Sequence, residues 1–300
     1  MEAVTNTSLR RPHVGPLRGA WRVVTATKEG RVGIVLVVFV LALGFVGPLV
    51  APYDPEALGD ALPALTPTPS HPLGTDALGR DVLSRVLSGG REILVLPLLA
   101  TVLAFATGGL VGMTLAYKGG RPDSIGSRVV DVLLGIPPLL VVMIVLTGFG
   151  TSAPIVVAAI GLVFAPRVAR ILRGATQSVV GQDYVLAAVA RGERTVSLLA
   201  RELLPNILAP VLVDFALRLT YAILFVAALS FLGLGAQPPT PDWGLMAAEN
   251  RGILTVNLWA SIAPALVIGM LSIGVSFIAD GVTQALGIRV EPIERGRLGR

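Results

Sequence analysis

Long apolar stretches separated by short polar segments dominate the pattern of this chain. A helix needs roughly 20 apolar residues to cross the hydrocarbon core of a bilayer. The first stretch is too long for a cleaved signal peptide, lacks a small-residue cleavage site and is followed by further spans. The pattern therefore predicts an all-α, polytopic membrane protein with six transmembrane helices, at 32–51, 92–117, 129–150, 154–172, 207–235 and 258–283.

Positive charges predict how these spans are oriented. With the N-terminus inside, nineteen of the 24 Lys and Arg residues fall on the cytoplasmic side, as the positive-inside rule requires. The chain is then a multi-pass protein of the cell (inner or plasma) membrane with both termini cytoplasmic. It divides into an N-terminal segment (1–31), a transmembrane domain (32–283) and a C-terminal tail (284–300). Residues 17–31 fit an interfacial helix or a simple positive flank.

Composition narrows the function classes. Hydrophobic residues make up 53% of the chain and charged residues 14%, so the bilayer is the expected environment, and membrane topology explains the net charge of +5 without nucleic acid. There is no cysteine, and His13 and His71 are far apart. No G-x-x-x-x-G-K-[ST] phosphate loop occurs. We therefore predict no metal centre, no catalytic centre and no cofactor bound by this chain.

A charged stretch, 183-DYVLAAVARGERTVSLLARELLPN-206, interrupts the apolar pattern within the predicted cytoplasmic loop 173–206. The pattern predicts a short helix over 183–190 and a left-handed glycine at Gly192 that closes it. A second helix, from about 195 to 204, is predicted to end at Pro205. Such a bent helix pair suits a groove on another protein, or it packs as an amphipathic loop on the bilayer. The residues alone leave both interpretations open.

Two charges within the fifth span form a second candidate site. Asp214 and Arg218 are four residues apart, a spacing that lets them pair on one helix face. Charges inside a membrane span usually face a protein interior or a wet cavity. They therefore either neutralise each other or line a translocation path, and the cost of burying them favours the first interpretation.

The segments predicted to be extracytoplasmic suggest local structure. In the loop 52–91, Thr75 or Asp76 is predicted to cap a helix that runs through Val82 and Val86. Trp243 is predicted to be an interfacial aromatic in a proline-rich turn. In the third span, Pro137 and Pro138 are predicted to kink the helix.

Three motifs resemble a known family of membrane proteins. Leu186-Ala187-Ala188, Gly192 and Leu204-Pro205 follow the spacing of the cytoplasmic EAA loop of ABC-importer permeases. The stretches 71-HPLGTDALGRDVLSRVLSGGRE-92 and 229-LSFLGLGAQPPTPDWG-244 resemble the C-type permease subunit of the peptide and nickel (oligopeptide/dipeptide) importers. The resemblance extends over about residues 20–285.

This resemblance implies a type I ABC importer permease fold and a transport role without catalysis. The expected partners are a homologous permease subunit, two cytoplasmic ATPase domains that bind ATP and Mg, and an extracytoplasmic solute-binding protein. The substrate would be a di- or oligopeptide, nickel or a similar small solute. The family's coupling helix docks on the ATPase, and its matching residues here are Asp183, Tyr184, Val185, Leu186, Ala187, Ala188, Val189, Gly192, Leu204 and Pro205.

Three positions depart from the family pattern. The acidic first residue of E-A-A is Leu186, a frequent histidine is Glu202, and a frequent glutamate of the fifth span is Val226. The polar contacts of those family residues are therefore not expected here, whereas the fold and the docking mode are.

The alternative class is an ion-coupled secondary transporter that uses Asp214 and Arg218, with Asp131 and Asp280 as further ionisable groups. Such a transporter needs coupling-ion sites near the midplane and often has inverted repeats or broken helices in matching halves. The sequence shows neither feature.

Overall fold

The computed structural model describes residues 24–58 and 61–285, and within these ranges the regular structure is helical. Residues 17–23 of the predicted N-terminal interfacial helix and nearly all of the C-terminal tail lie outside the described residues. The helices are α1 Lys28–Val50, α2 Val82–Ser88, α3 Arg91–Lys118, α4 Gly120–Leu134, α5 Pro138–Phe149, α6 Ala153–Gln177, α7 Asp183–Ala190, α8 Thr195–Ser197, α9 Leu204–Asn206, α10 Leu208–Phe231, α11 Trp243–Glu249 and α12 Trp259–Ala285. A π-helical turn, Leu198–Leu203, joins α8 to α9, and a 3₁₀ turn, Asn250–Ile253, follows α11.

The predicted membrane spans correspond to these helices, with one correction. Five helical stretches in the described residues are long and apolar enough to cross a membrane: α1, α2 with α3, α6, α10 and α12. The kink predicted at Pro137 and Pro138 in the third span, 129–150, is confirmed, but it divides the span into two helices, α4 and α5, which bend by 78° at their junction. Counting this bent pair as one span gives the six that the sequence predicts.

The break in the third span follows from its prolines. Pro137 and Pro138 have no N–H to donate, and each disfavours helical backbone in the residue before it. Helix α4 accordingly stops at Leu134, and α5 restarts with Pro138 in its first turn. The stretch 118–128, which lies between the second and third predicted spans, is helical from Gly120 onward.

Small residues bring α3 and α6 into direct contact. A Cβ atom added to Gly108 would lie 2.9 Å from the carbonyl carbon of Ala165, and one added to Gly112 would lie 2.9 Å from that of Ala169. The four-residue spacing on both helices is the small-xxx-small pattern that lets membrane helices approach closely. The backbones of α3 and α6 therefore touch with no side chain between them.

Helix α1 packs on α12 in a similar way. A Cβ atom at Gly33 would lie 2.7 Å from the carbonyl oxygen of Gly274. The small-residue face of the sixth span thus contacts the first span of the same chain at Gly274. Gly269, on the same helix, has no neighbour within 4 Å of an added Cβ atom.

The segments 61–90 and 236–257 pack together into what we call the outer cap, on the side predicted to be extracytoplasmic. Trp243 is completely buried in it, and its Nε1–H donates to the carbonyl of Val86 at 2.7 Å. The prediction of an interfacial Trp243 is therefore wrong, because the outer cap encloses this ring. Asp242 caps α11 by accepting from the Leu245 N–H at 2.9 Å, and burial raises the pKa of the Asp242 carboxyl.

A buried ion cluster holds the outer cap together. Arg80 Nε lies 2.6 Å from Asp76 Oδ2, and Arg80 Nη2 lies 2.9 Å from Glu249 Oε2. Arg85 Nη2 is 3.3 Å from the same Glu249 oxygen. Two cations thus face two carboxylates, which offsets the desolvation cost of burying them.

The cap of α2 also differs from the prediction. Asp81 is the N-cap residue, because its Oδ2 accepts from the Ser84 N–H at 2.8 Å. Its Oδ1 lies 2.9 Å from Nδ1 of His71. Asp76 is instead bound to Arg80, and the hydroxyl of Thr75 donates to the carbonyl of Leu62, so neither caps the helix.

We expect Gly108→Ala and Gly112→Ala each to destabilise the protein by about 1–3 kcal/mol, since the added methyl group forces α3 and α6 apart. Gly174→Ala on α6 is the matched control because an added Cβ atom there has no neighbour within 4 Å. The control should be neutral or stabilising by up to about 1 kcal/mol. Thermal unfolding in detergent measures the difference, and equal midpoints for the three variants would contradict the close contact.

A second prediction concerns the ion cluster. Glu249→Gln leaves two buried arginines facing one carboxylate and should cost about 3 kcal/mol, at the low end for a broken buried pair because the Glu249 side chain is 20% exposed. Glu56→Gln, an exposed carboxylate near the cluster, should change stability by less than about 0.5 kcal/mol. Thermal unfolding of both variants tests the cluster, and a Glu249→Gln variant as stable as the wild type would refute its role.

Candidate functional site

The charged stretch that the sequence singles out folds into α7, a glycine turn and a second helical segment. Helix α7 spans Asp183–Ala190, as predicted. Its inner face buries Val185 and Ala188 in a cluster with Leu198 and Leu203 of the second segment and Leu172 of α6. The stretch is therefore anchored on the transmembrane helices and does not lie free beside them.

The turn after α7 depends on Gly192. This residue has φ +74°, in the left-handed region that glycine adopts without a Cβ penalty. The Glu193 N–H donates to the carbonyl of Ala188 at 3.2 Å, and the Gly192 N–H donates to that of Val189 at 2.9 Å. This pair of bonds is a Schellman motif, which satisfies carbonyls at the helix end. The prediction that a left-handed Gly192 closes this helix is thus confirmed.

The second segment is longer than predicted. It runs through α8, the π-helical turn and α9, so the helix passes Pro205 and ends at Asn206. Within the π turn the Leu204 N–H donates to the carbonyl of Leu199, five residues back. Helix α9 then begins with Pro205 in its first turn, where a missing N–H has little effect. The loop predicted at 173–206 is correspondingly shorter, because α6 continues to Gln177.

An ion pair links the two arms of the bend. Nη2 of Arg191 lies 2.7 Å from Oε1 of Glu193 and 3.7 Å from Oε1 of Glu202. Glu202 is one of the departures from the family pattern, and it has a partner within the stretch. The contact crosses the Gly192 turn and favours the observed bend.

The outer side of the bend exposes apolar side chains. Leu186 is 55% exposed, Val189 46% and Val196 73%. We call these three residues, together with the exposed Ala187, the coupling face. Among the other predicted site residues Asp183 and Pro205 are exposed, whereas Tyr184 and Leu204 are half-buried. Leu186, where the family has an acid, thus makes this face more apolar.

The second candidate site is the charged pair on α10. Nε of Arg218 donates to Oδ1 of Asp214 at 3.1 Å, so the predicted pairing is observed. Asp214 is buried, and the guanidinium carbon of Arg218 lies 5.4 Å from the centre of the Tyr221 ring. The same arginine lines a cavity with Arg167 of α6. Sequence spacing does not connect Arg167 with this pair, because the two helices meet only in the fold.

The other acids of the ion-coupled alternative do not join Asp214 in the structure. Asp131 is 58% exposed in its side chain and lies 3.6 Å from Arg170. Asp280 is exposed near the end of α12. Within the part of the chain that the structure describes, no three His, Cys, Asp or Glu side chains are grouped so that they could hold a metal ion.

Comparison with known proteins identifies the family. Residues 108–292 match the family described as binding-protein-dependent transport system inner membrane component. The chain belongs to this family. The matched region contains the coupling face, the Gly192 turn and the Asp214–Arg218 pair.

Sequence similarity to known relatives extends over nearly the whole chain. This chain is 38% identical over 279 residues to the dipeptide transport system permease protein DppC of Escherichia coli strain K12, and the alignment covers 90% of this chain and 92% of the relative. It is 33% identical over 280 residues to DppC of Bacillus subtilis, covering 93% and 88%. It is 35% identical over 280 residues to the di/tripeptide transport system permease protein DppC of Pseudomonas aeruginosa, covering 90% and 91%.

A solved structure supports the fold of the family member. An inward-facing structure of the MetNI methionine ABC transporter aligns with a TM-score of 0.54 at 17% sequence identity, covering 68% of this chain and 96% of the other. The predicted type I importer permease fold is therefore confirmed. A family of membrane transport components also agrees with the prediction that the chain is not itself an enzyme.

We expect Gly192→Ala to loosen the bend, because an alanine in the left-handed region costs about 1–2 kcal/mol. Amide hydrogen exchange over 186–193 should then accelerate by a factor of about 5–30. Gly181→Ala is the matched control, because Gly181 also has no neighbour within 4 Å but lies outside the left-handed region. Equal exchange in the two variants would show that the turn does not depend on the glycine.

Proposed function

We propose that this chain is a permease subunit of an ATP-driven, binding-protein-dependent importer of dipeptides. It would form the translocation pathway together with a homologous permease. Two ATPase subunits would bind on the cytoplasmic side, and a solute-binding protein would deliver the peptide from outside. The substrate class is supported by the dipeptide permeases that this chain resembles over about nine-tenths of its length.

The observation that carries the proposal is the coupling face. Exposed Leu186, Val189 and Val196 project from an anchored, bent helix pair in a segment rich in arginine. An apolar surface on a rigid support, rimmed by charges, is typical of a protein–protein interface. The positive-inside rule puts it in the cytoplasm, where an ATPase subunit is available as its partner.

The anchoring explains how the proposed coupling would work. Val185 and Ala188 pack against Leu172 of α6 and belong to one buried cluster with Met113 of α3. Because packed cores deform little, a displacement of α7 by the ATPase would move α3 and α6 with it. Two such permeases, moved in opposite directions, would alternate the access of their shared pathway.

The ion-coupled alternative has weaker support. Asp214 is the buried acid among its proposed groups, and Arg218 already pairs with it. A carboxylate held in an ion pair is a poor proton carrier, because releasing the arginine leaves an uncompensated buried charge. The importer proposal needs no such step.

The proposal is tested by co-purification from cells that express this chain with its genomic neighbours. We expect Leu186→Arg and Val189→Arg to lose the ATPase while they retain the second permease. An unpaired charge buried in an apolar interface should cost at least about 3 kcal/mol, which is more than about a hundredfold in affinity. Leu58→Arg is the control, since Leu58 is 65% exposed in the segment predicted to lie on the other side of the membrane.

Retention of the ATPase by both coupling-face variants would refute docking at this face. Purification of the wild-type chain without any ATPase would refute the importer itself. Peptide uptake that persists without ATP hydrolysis and stops when the proton gradient is dissipated would establish the ion-coupled class.

A further inference from the structure

A cavity of about 250 Å³ lies between α6, α10 and the break in the third span. We call it the arginine cavity, because Arg167 of α6 and Arg218 of α10 both line it. Its other walls are aromatic and apolar, and they include Phe164, Tyr221, Phe225 and Pro138.

The two arginines lie in the halves of their helices that are predicted to be cytoplasmic. Arg218 is ten residues after the start of α10, or about 15 Å along the helix. Arg167 is about five residues before the end of the predicted fourth span, so it lies nearer the cytoplasmic boundary. Cations at such depth face protein or water and not lipid, so the cavity opens toward a wet or protein-lined space.

The positive charge of the cavity is only partly compensated. Asp214 pairs with Arg218 at 3.1 Å. It also attracts Arg167 electrostatically, but Arg167 makes no ion pair within 4.0 Å in the described part of the chain. Two guanidinium groups therefore share one carboxylate, and the site has an excess charge of about +1. An anion that enters the cavity is attracted to this charge more strongly than it would be in water, because the local dielectric constant is lower.

The walls suggest how large this anion is and what else it carries. The volume of 250 Å³ is slightly below that of common ligand pockets, about 300–1,000 Å³, and so suits a small solute. The rings of Phe164 and Phe225 meet edge to face at 5.5 Å, and Tyr221 lies under Arg218. Planar guanidinium groups beside aromatic rings suit a carboxylate that lies next to an apolar or aromatic side chain.

The geometry points to a site for the terminal carboxylate of the peptide as it crosses the membrane. This inference rests on the proposed function and extends it by assigning a substrate contact to this chain. Arg218 already shares its charge with Asp214, so the peptide is held weakly enough to leave again, as passage requires. The bend between α4 and α5 forms one wall, so any change in that bend alters the site.

The first test uses the absence of cysteine from this chain. Tyr221→Cys introduces a single thiol beside Arg218, in the assembled transporter with cysteine-free partners. At this thiol we compare the reaction rate of the anionic reagent methanethiosulfonate ethylsulfonate with that of its cationic trimethylammonium analogue. The ratio of the anionic to the cationic rate should be about tenfold higher than at an open site. Leu58→Cys, at a residue that is 65% exposed and lies away from the coupling face, supplies that open site.

Further substitutions and ligands assign this preference to the cavity. Arg167→Gln with Arg218→Gln should abolish it, whereas Arg170→Gln should not, because Arg170 lies on α6 outside the cavity. Millimolar alanyl-alanine should protect the thiol, and alanyl-alaninamide, which lacks the carboxylate, should not. The same anionic-to-cationic rate ratio at Tyr221→Cys as at the open site, or equal protection by both peptides, would overturn the inference. Failure of both reagents to react would show that the second permease fills the cavity, which overturns it too.

The second test separates substrate contact from simple charge neutralisation. Arg218→Gln should reduce alanyl-alanine uptake in proteoliposomes at least about tenfold, while ATP hydrolysis stimulated by the binding protein continues. The double variant Arg218→Gln with Asp214→Asn removes the charge that the loss of Arg218 leaves unpaired, but it still lacks the arginine. If this double variant regains uptake, the pair is structural and the inference fails. If the wild type shows no stimulated hydrolysis, the proposed function fails, and the labelling result remains a separate measure of the cavity.

Discussion

The close contact between α3 and α6 supports the rest of the structure. Gly108 and Gly112 remove the side chains that would separate the two helices, so α6 is fixed along one face by backbone contact. The other faces of α6 contact three different parts of the molecule. Val168 and Leu172 anchor the coupling stretch, Arg173 binds Asp123 of α4 at 2.5 Å, and Phe164 and Arg167 line the arginine cavity. One helix thus connects the coupling face, the broken span and the cavity.

The two ends of the molecule are stabilised in different ways. In the outer cap, buried ions and hydrogen bonds join segments that are far apart in sequence, as in the contacts of Glu249 with Arg80 and Arg85. Such directional contacts fix one geometry. At the other end, the coupling stretch rests on an apolar cluster and a glycine turn, and its exposed face is apolar. One end is thus fixed by directional contacts between distant segments, and the other exposes an apolar face on a packed support.

Local signals in the sequence were sufficient where the structure depends on neighbouring residues. The α7 helix and the left-handed Gly192 follow from helix-end chemistry, and Asp214 and Arg218 pair because they are four residues apart on one helix. The predictions that failed concern competition between distant groups. Asp76 was a reasonable cap for α2, but Arg80 and the rest of the ion cluster engage it, and Asp81 takes the cap. Trp243 was a reasonable interfacial residue, but the outer cap encloses it.

The sequence by itself therefore determined the class of protein, the number of its spans, and the position of the helix and glycine turn at 183–192, because hydropathy and helix-end residues act over short distances. The tertiary structure alone decided the 78° angle at which the third span breaks at its prolines, and the contact of α3 with α6 through glycine. It also decided that Arg167 and Arg218 face one cavity. The physical reason is that the two arginines lie on different helices, and only helix packing determines which of their side chains share a space.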